Sequence, residues 1–430
     1  MSDIGTDIFS LIDSKANLFI SGKAGTGKTT LLRQITEEHK NECVVVAPTG
    51  VAAINAGGVT IHSLFSLSIG VQEPNKAFEW RLPSSKKAIL RKINLLIIDE
   101  ISMVRCDLMD AMDRRLRSAK KSKLPFGGVQ VLMFGDLMQL PPVVTNDEGN
   151  VLSEYYNDFY FFNAQVFRNA QFHVVELKEI FRQTDKDFID LLGDVRNGEL
   201  SEKSKEMFKK MLSNKPTDDT IHLCALRNIA ESYNLQRLGY PTHIIKATIE
   251  GDFNPKNAIC DLELKLKVGA RVMITMNDTK WYEFCNGTLG VVKDIQPDFI
   301  KVEIDGNKIV MIEPKTVESF KYDVTTELEN GEIKTVINKI RTGSCTQYPL
   351  TLAYAVTIHK SQGLTFDNVA LHIKEIFQTG QLYTALSRCR KAEGVSIDAM
   401  ITDSMLTKNN AIEKFMNIIE QNDGDYGFVH

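Results

Sequence analysis

The chain carries 51 lysines and arginines against 55 aspartates and glutamates over 430 residues, a formal net charge of −4, and 43% of its residues are apolar. This is the composition of an ordinary globular protein of roughly two to four domains, not of a highly basic coater of nucleic acid, although a local groove can still hold a phosphate backbone. No apolar run approaches the ~20 residues needed to span a bilayer, and seven scattered cysteines without a C-x-x-C pair indicate neither a zinc site nor a disulfide framework.

The first strand is expected at Asn17–Ser21 (NLFIS). That leaves no room for a removable signal peptide, and Asp3, Asp7 and Asp13 do not suit an Arg-rich transit segment, so a cytoplasmic protein is expected. Residues 22–29 then read GKAGTGKT, a complete phosphate-binding loop, followed by Leu31, Leu32 and Ile35 at helical spacing. At average composition the four fixed positions match by chance at roughly 1 in 30,000 starts. The cradle comprises Gly22, Ala24, Gly25, Thr26, Gly27, Lys28, Thr29 and Thr30. Glycines let backbone N–H groups turn toward a phosphate lying at the positive end of the following helix. Lys28 would reach the β- and γ-phosphates and the Thr29 hydroxyl would ligate Mg²⁺. The expected ligand is a nucleoside triphosphate.

Val44–Ala47 is a buried-strand run with Pro48, Thr49 and Gly50 at its carboxyl end, and Thr60, His62 and Ser63 add small polar groups. All of these suit contact with a nucleic-acid phosphate; for His62 a packed structural role is the alternative. Residues 66–85 form a turn-rich insert holding Phe78 and Trp80. The apolar strand Leu95–Ile98 ends in Asp99 and Glu100, where ligands bind in open α/β sheets. Asp99 would complete the Mg²⁺ shell, and Glu100 would orient and activate the attacking water. Arg114, Arg115, Arg117, Lys120, Lys121 and Lys123 put six basic residues within ten, either a solvated helix face or a phosphate contact. The strand Val129–Phe134 runs into Gly135, Asp136 and Gln139, with Pro141 and Pro142 stiffening the loop beyond.

In the second half, FHVVEL (172–177), IHLCAL (221–226) and VALHI (369–373) predict strands, alternating with helices over 187–196 and 228–238. Within 261–343 the character changes. Alternation at Ile300, Val302 and Ile304, with turns at Asn286-Gly287, Asp305-Gly306 and Asn330-Gly331, predicts antiparallel hairpins.

The ordered series GKAGTGKT, APTGVAAINAGGVTIHSLF (47–65), IDEISM, GDLMQLPPV, ELKEIFRQ (176–183), TIHKSQGLTFD (357–367) and GQLYTALSRCR (380–390) resembles a superfamily-one DNA helicase. The stretch from Asp107 through Arg114, Arg115 and Arg117 to PFGGVQ (125–130) resembles the signature of the PIF family (petite integration frequency), which includes bacterial members of this length. The resemblance spans residues 22–390. It implies an α/β protein of tandem RecA-like P-loop motor domains, the first from 1–65 and 86–170, the second from 171–260 and 344–430. It also implies a wedge insert at 66–85, with Phe65, Phe78 or Trp80 able to stack on a base, and an SH3-like β-barrel insert at 261–343.

The same resemblance assigns Gln139 to the γ-phosphate and Arg182 and Arg388, the latter on a predicted helix, as arginine fingers. For Arg388 a cation at a helix C-terminus is the alternative. Thr357, His359, Lys360, Ser361, Gln362 and Gly363 match the motif coupling DNA to the ATP site, with Thr357, His359, Lys360 and Ser361 on the strand and Gly363 beside the nucleotide. The implied cofactors are ATP and Mg²⁺. The implied partner is single-stranded DNA bound across both domains, with single-strand/duplex junctions, G-quadruplexes and RNA–DNA hybrids as further substrates, and the implied core is a monomer moving 5′ to 3′. One departure stands out: residues 1–16 hold no glutamine of the kind that reads adenine, so other nucleotides can serve.

Replacing Lys28 by Ala should abolish ATP hydrolysis while leaving single-strand binding largely intact, because the lysine serves phosphate and the strand contacts lie elsewhere. Steady-state turnover and fluorescence-anisotropy binding check this, and undiminished turnover overturns the loop assignment.

Overall fold

The computed structural model describes residues 3–427 apart from 69, 79, 80, 254, 256, 257, 259, 277–282, 285, 305–307, 330, 331, 377, 403, 404, 407, 408, 423 and 424. The chain divides into two compact units: Met1–Phe181, Phe320–Arg341 and Asn409–His430 form one, and Arg182–Ser319 with Thr342–Lys408 form the other. Among the described residues no helix is long and apolar enough to cross a membrane.

The first unit is built on strands β1 (Leu18–Gly22), β2 (Cys43–Ala47), β3 (Val59–Thr60), β4 (Leu95–Ile98), β5 (Gln130–Gly135) and β6 (Gln171–Leu177), in the order β6-β1-β5-β4-β2-β3 and all parallel. Helices α1 (Asp3–Asp13), α2 (Lys28–Glu38), α3 (Gly50–Asn55), α4 (Ile61–Phe65), α5 (Ser84–Lys92), α6 (Cys106–Lys120) and α7 (Asn146–Leu152) connect them. Every residue of β2 and β4 is buried, as expected of parallel strands covered on both faces. Alternate side chains feed two cores: Leu18, Ile20, Leu32, Ile35 and Leu132 share one, while Phe19, Val44, Ile98, Leu116 and Phe161 share the other.

Three expected boundaries move, the first being that Phe320–Arg341, expected within the insert at 261–343, groups with the first unit. Residues 171–181 belong to the first unit, because β6 pairs in parallel with β1 (Leu18↔His173, Ile20↔Val175). Residues 409–430 return to it as well. Their helix Asn410–Gln421 buries Ile412, Phe415 and Ile419 in the core, and Phe415 stacks on Phe162 with ring centroids 4.3 Å apart. The terminal strand Asp425–Gly427 then pairs antiparallel with β6. Apolar periodicity identifies such elements but not which sheet they join.

Helix α6 explains the signature region. Asp107, Asp110 and Asp113, one turn apart, are all buried and each ties down a different segment. Asp107 accepts the Gln72 N–H (2.8 Å) and pairs with Arg105 (2.9 Å). Asp110 accepts the backbone N–H groups of Gln165 (2.9 Å) and Val166 (2.8 Å) and the Tyr156 hydroxyl (2.8 Å). Asp113 accepts the Phe126 N–H (2.5 Å) and pairs with Arg117 (2.8 Å). Burial still holds the Asp110 and Asp113 carboxyls above the usual carboxylate range, against the pull of these donors.

The second unit contains β7 (Ile221–Cys224), β8 (His243–Lys246), β9 (Thr248–Gly251), β10 (Glu263–Leu266), β11 (Arg271–Ile274), β12 (Leu289–Ile295), β13 (Ile300–Ile304), β14 (Lys308–Ile312), β17 (Leu350–Leu352), β18 (Ala355–Thr357), β19 (Val369–Leu371) and β20 (Val395–Ile397), together with the start of β15 (Lys315–Glu329) and the end of β16 (Glu332–Gln347), whose remaining residues Phe320–Arg341 belong to the first unit. Its parallel sheet runs β18-β7-β19-β20, with helices α8 (Lys186–Asn197), α9 (Glu202–Ser213), α10 (Arg227–Leu238) and α11 (Gln381–Leu386) around it. The antiparallel sheet runs β14-β13-β12-β11-β17, with Ile300, Val302 and Ile304 facing inward as their alternation predicts. Gly287 sits at φ +96°, a turn glycine as expected, whereas the turns at 305–306 and 330–331 lie outside the described residues. The core of this antiparallel sheet draws on residues outside 261–343. Leu238, Tyr348, Leu350 and Leu352 complete its core, and β17 pairs directly with β11.

Replacing Asp110 by Asn should destabilise the first unit by about 1–3 kcal/mol, because an NH₂ group then faces N–H and O–H donors in a buried site. Urea unfolding measures this, and wild-type stability in the variant would mean the latch is idle.

Candidate functional site

In the first unit β5 lies between β1 and β4, so the carboxyl ends of these three adjacent parallel strands carry the phosphate loop, Gln139 and the Asp99-Glu100 pair to one edge. The loop has the expected form. Gly25 and Gly27 sit at φ +86° and +82°, the left-handed region closed to most residues. A Cβ on Gly22 would lie 2.5 Å from Thr26 Oγ1 and 3.0 Å from the Leu177 carbonyl, so the entry to the loop admits no side chain. Gly27 caps α2 and leads into Lys28, Thr29 and Thr30, while Ala24 and Thr26 are buried beneath. The Lys28 ammonium lies over the loop itself, donating to the carbonyls of Gly22 (2.6 Å) and Lys23 (2.9 Å).

Burial pushes the Asp99 carboxyl up, opposed by the Glu100 N–H that it accepts at 2.9 Å and by the fields of Lys28 and Arg33. That opposition places the loop lysine and the first acid within electrostatic reach of each other. Glu100 occupies φ +50°, ψ +47°, a left-handed conformation that costs a non-glycine residue of the order of 1 kcal/mol and is typical of functional sites. Gln139 is buried, its amide nitrogen donating to Asp136 Oδ2 at 3.3 Å, so its carboxamide is fixed at the end of β5.

The strand-binding candidates of this unit follow β2 and β3. Thr49 is exposed and caps α3 by accepting the Ala52 N–H (3.2 Å), flanked by half-buried Pro48 and Gly50. Ser63 is exposed, and Thr60 caps α4. Burial, then the charge of Arg105, push the His62 imidazole down, so at neutral pH it is uncharged and can only hydrogen-bond.

Expectations change at Phe65, at Phe78 in the insert and in the basic run of α6. Phe65 is fully buried in the core and cannot stack on a base. Phe78 packs against the core beneath the guanidinium groups of Arg114 (4.3 Å) and Arg115 (3.7 Å), which leaves it an anchor; Trp80 lies outside the described residues. The basic run is largely internal. Arg115 donates to the Ser66 carbonyl (2.8 Å), Arg114 to those of Lys76 (2.8 Å) and Glu73 (3.2 Å), Arg117 pairs with Asp113, and Lys120 donates to Arg91 (3.0 Å). Lys121 and Lys123 remain exposed.

In the second unit Thr357 ends β18, accepting the Lys360 N–H at 3.2 Å. His359 is half-buried and pushed down by burial, and Lys360 is exposed. Ser361 is not a strand contact. It is wholly buried, its hydroxyl donates to the Ile358 carbonyl (2.7 Å), and its own carbonyl accepts from Arg388 (3.4 Å). Arg388 stands beyond the end of α11 rather than on it and is 1% exposed. Its Nε donates to the Thr384 carbonyl (2.9 Å) and its Nη2 to the Ser387 hydroxyl (2.8 Å). Arg182 joins the same cluster, donating to the carbonyls of Ser387 (3.3 Å) and Gly363 (3.4 Å), and burial lowers its pKa. Arg182, Gly363 and Arg388 therefore come together.

Phe181 was missed by the sequence reading. It is 65% exposed, its N–H bonds the Gly25 carbonyl (2.9 Å), and its ring would lie 3.7 Å from a Cβ on Gly27. The aromatic just before Arg182 in EIFRQ was the available signal.

The loop and the acidic pair define a P-loop nucleoside triphosphatase, in a chain with two parallel-sheet units and a β-rich insertion. Residues 6–206 match the family model described as PIF1-like helicase, and residues 352–393 match the UvrD-like helicase C-terminal domain. The chain is 34% identical to the ATP-dependent DNA helicase Pif1 of Bdellovibrio bacteriovorus, over 90% of this chain and 85% of that one. Among solved structures, Pif1 from Bacteroides sp in complex with ADP-AlF4 superposes with a TM-score of 0.91 at 43% identity, covering 99% of this chain and 98% of that one. Bacteroides Pif1 bound to ssDNA gives a TM-score of 0.73 at 43% identity, again covering 99% and 98%. The chain belongs to the PIF1-like helicase family.

Replacing Glu100 by Gln should leave nucleotide binding near wild type and slow hydrolysis at least tenfold, given the 10²–10⁴ typical of a general base. Fluorescent-nucleotide titration and steady-state turnover separate the two, and wild-type turnover would remove Glu100 from the reaction.

Proposed function

We propose that this chain is an ATP- and Mg²⁺-dependent helicase that moves 5′ to 3′ along single-stranded DNA and unwinds duplex, forked and G-quadruplex DNA in genome maintenance. RNA–DNA hybrids are further substrates, its core is a monomer, and it acts in the cytoplasm. The observation that supports the reading best is the convergence of Lys28, Asp99, Glu100 and Gln139 at the ends of three adjacent parallel strands.

Each residue then has a task. The loop N–H groups and Lys28 hold the phosphates. Thr29 and Asp99 offer the oxygen ligands that would hold Mg²⁺, a hard cation that would supply charge neutralisation at the phosphates. Glu100 takes the proton of the attacking water, and Gln139 hydrogen-bonds the γ-phosphoryl. Arg182 and Arg388 neutralise the charge that develops there, a contribution of about 10³–10⁵ in related phosphoryl transfers. Phe181 offers its ring to the base, and stacking does not discriminate between bases, which suits a chain without an adenine-reading glutamine.

Pro48, Thr49, Gly50, His62 and Ser63 contact the strand in the first unit, and Thr357, His359 and Lys360 do so in the second. Ser361 acts only through its backbone. We assign residues 66–85 as a wedge and the antiparallel sheet of the second unit as an SH3-like barrel that grips the strand. Each stacked step of duplex costs about 0.6–2.2 kcal/mol, a modest load for one hydrolysis.

Polarity rests on family membership. Both directions of travel use the same nucleotide chemistry and differ in the order of grip and release. A partial duplex with a 5′ single-stranded tail should be unwound with ATP and Mg²⁺, and its 3′-tailed mirror should not. Preferential unwinding of the 3′-tailed substrate would reverse the direction and leave the hydrolytic assignments standing.

A further inference from the structure

Arg105 has no task in the reading above, yet its guanidinium binds three segments of the first unit at once. Its Nε and Nη2 meet both oxygens of buried Asp107 on α6, each at 2.9 Å. Nη2 also donates to the Gly70 carbonyl in the insert, and Nη1 to Glu148 Oε1, both at 2.8 Å. Asp107 closes the circuit by accepting the Gln72 N–H of the insert at 2.8 Å. The Arg105 side chain is 12% exposed and that of Asp107 0%, so water competes little for these bonds.

Glu148 connects this hub to the nucleotide edge. It stands in the first turn of α7, where its other oxygen accepts the Thr145 N–H (2.9 Å) and hydroxyl (3.0 Å), a complete capping box. Thr145 lies six residues beyond Gln139, and Pro141 and Pro142 stiffen the span between them. From Gln139 the path runs along a short stiff loop to a capped helix start, then through one charge-assisted bond to Arg105, and from Arg105 to the backbone of the insert. A surface loop needs no arginine with all three nitrogens engaged to stay folded, and Arg114 and Arg115 already pin the insert to α6. Only the Glu148 arm reaches the loop that carries Gln139.

We infer that Arg105 is a positioning residue that couples the Gln139 loop to the insert, transmitting the state of the γ-phosphate to the element that separates the strands. The inference rests on the reading of Gln139 as γ-phosphate contact and of residues 66–85 as wedge.

The test uses the full chain carrying Glu148→Gln. A glutamine at this position of a capping box still serves the Thr145 N–H, but its amide can no longer accept the Arg105 charge. Three quantities are read on a 5′-tailed duplex: the melting temperature, single-strand-stimulated ATP turnover, and strand displacement. The melting temperature should stay at that of wild type and ATP turnover within about twofold of it, while displacement falls about fivefold or more, within the range expected of coupling residues. Arg105→Lys, which keeps the charge but loses the fork, should show the same split. The effect should not add to that of Gln139→Ala: the double variant should displace no less strand per ATP hydrolysed than Gln139→Ala alone. Parallel loss of turnover and displacement, or full additivity with Gln139→Ala, overturns the coupling and leaves a structural clamp. A wild-type chain that hydrolyses ATP but displaces no strand overturns the wedge reading, and the coupling falls with it.

Discussion

Parallel strands all end on the same edge, and three of them side by side, β1, β5 and β4, set what the first unit can do. The loops that leave these carboxyl ends lie together, and they carry the phosphate loop, Gln139 and the Asp99-Glu100 pair. The arrangement demands close approach: at Gly22 the backbone leaves no room for a Cβ beside Thr26 and Leu177. It also demands strain, since Glu100 holds a left-handed conformation between a buried strand and a 3₁₀ turn. The wholly buried β2 and β4 make that tolerable, because a rigid, two-sided core supports a loop conformation that an isolated turn would abandon.

The charges on α6 serve the same rigidity from inside. Three buried carboxylates and four arginines would be costly in an apolar core, but nearly every one meets a backbone amide, a carbonyl or a partner charge. The carboxylates hold the insert and two short 3₁₀ turns, and Arg105, Arg114 and Arg115 hold carbonyls of the insert. An irregular loop cannot satisfy its own backbone groups, so a helix that presents polar side chains inward does that for it.

This division explains what the sequence made legible. The phosphate loop, the acidic pair, β13 with its alternation, and the helices around 187–196 and 228–238 rest on local rules, and local rules are written in neighbouring residues. The failures share one cause: they depend on partners distant in sequence. β6 has the pattern of any parallel strand, and only its pairing with β1 places it in the first unit. The helix Asn410–Gln421 buries its stripe against Phe162 and Phe19, some 250 to 400 residues away. The run Arg114–Lys123 looks like a solvated face because charge alone cannot say whether a carbonyl waits opposite. Ser361 and Phe65 misled in the same way, since burial of a small polar or aromatic residue is decided by the neighbouring element.

The converging arginines of the second unit carry a physical consequence of their own. Arg388 is fully buried and its nitrogens already have neutral acceptors in Thr384, Ser361 and Ser387; Arg182 holds two long bonds of 3.3 and 3.4 Å to carbonyls. Bonds from guanidinium to phosphate carry charge on both sides, those to a carbonyl on one side alone. In the proposed role, exchange of carbonyl for phosphate would favour the nucleotide, and more so for Arg182, whose present bonds are long and whose charge burial already disfavours. Arg388 would give up shorter bonds to Thr384 (2.9 Å) and Ser387 (2.8 Å), together with the 3.4 Å bond to Ser361, in the segment that bears His359 and Lys360. A guanidinium that leaves the Ser361 carbonyl for a phosphate necessarily loosens one fixed point of the strand-contacting segment. In the proposed role the same residue would register the nucleotide and release the strand, which is the minimal linkage that a translocating motor requires.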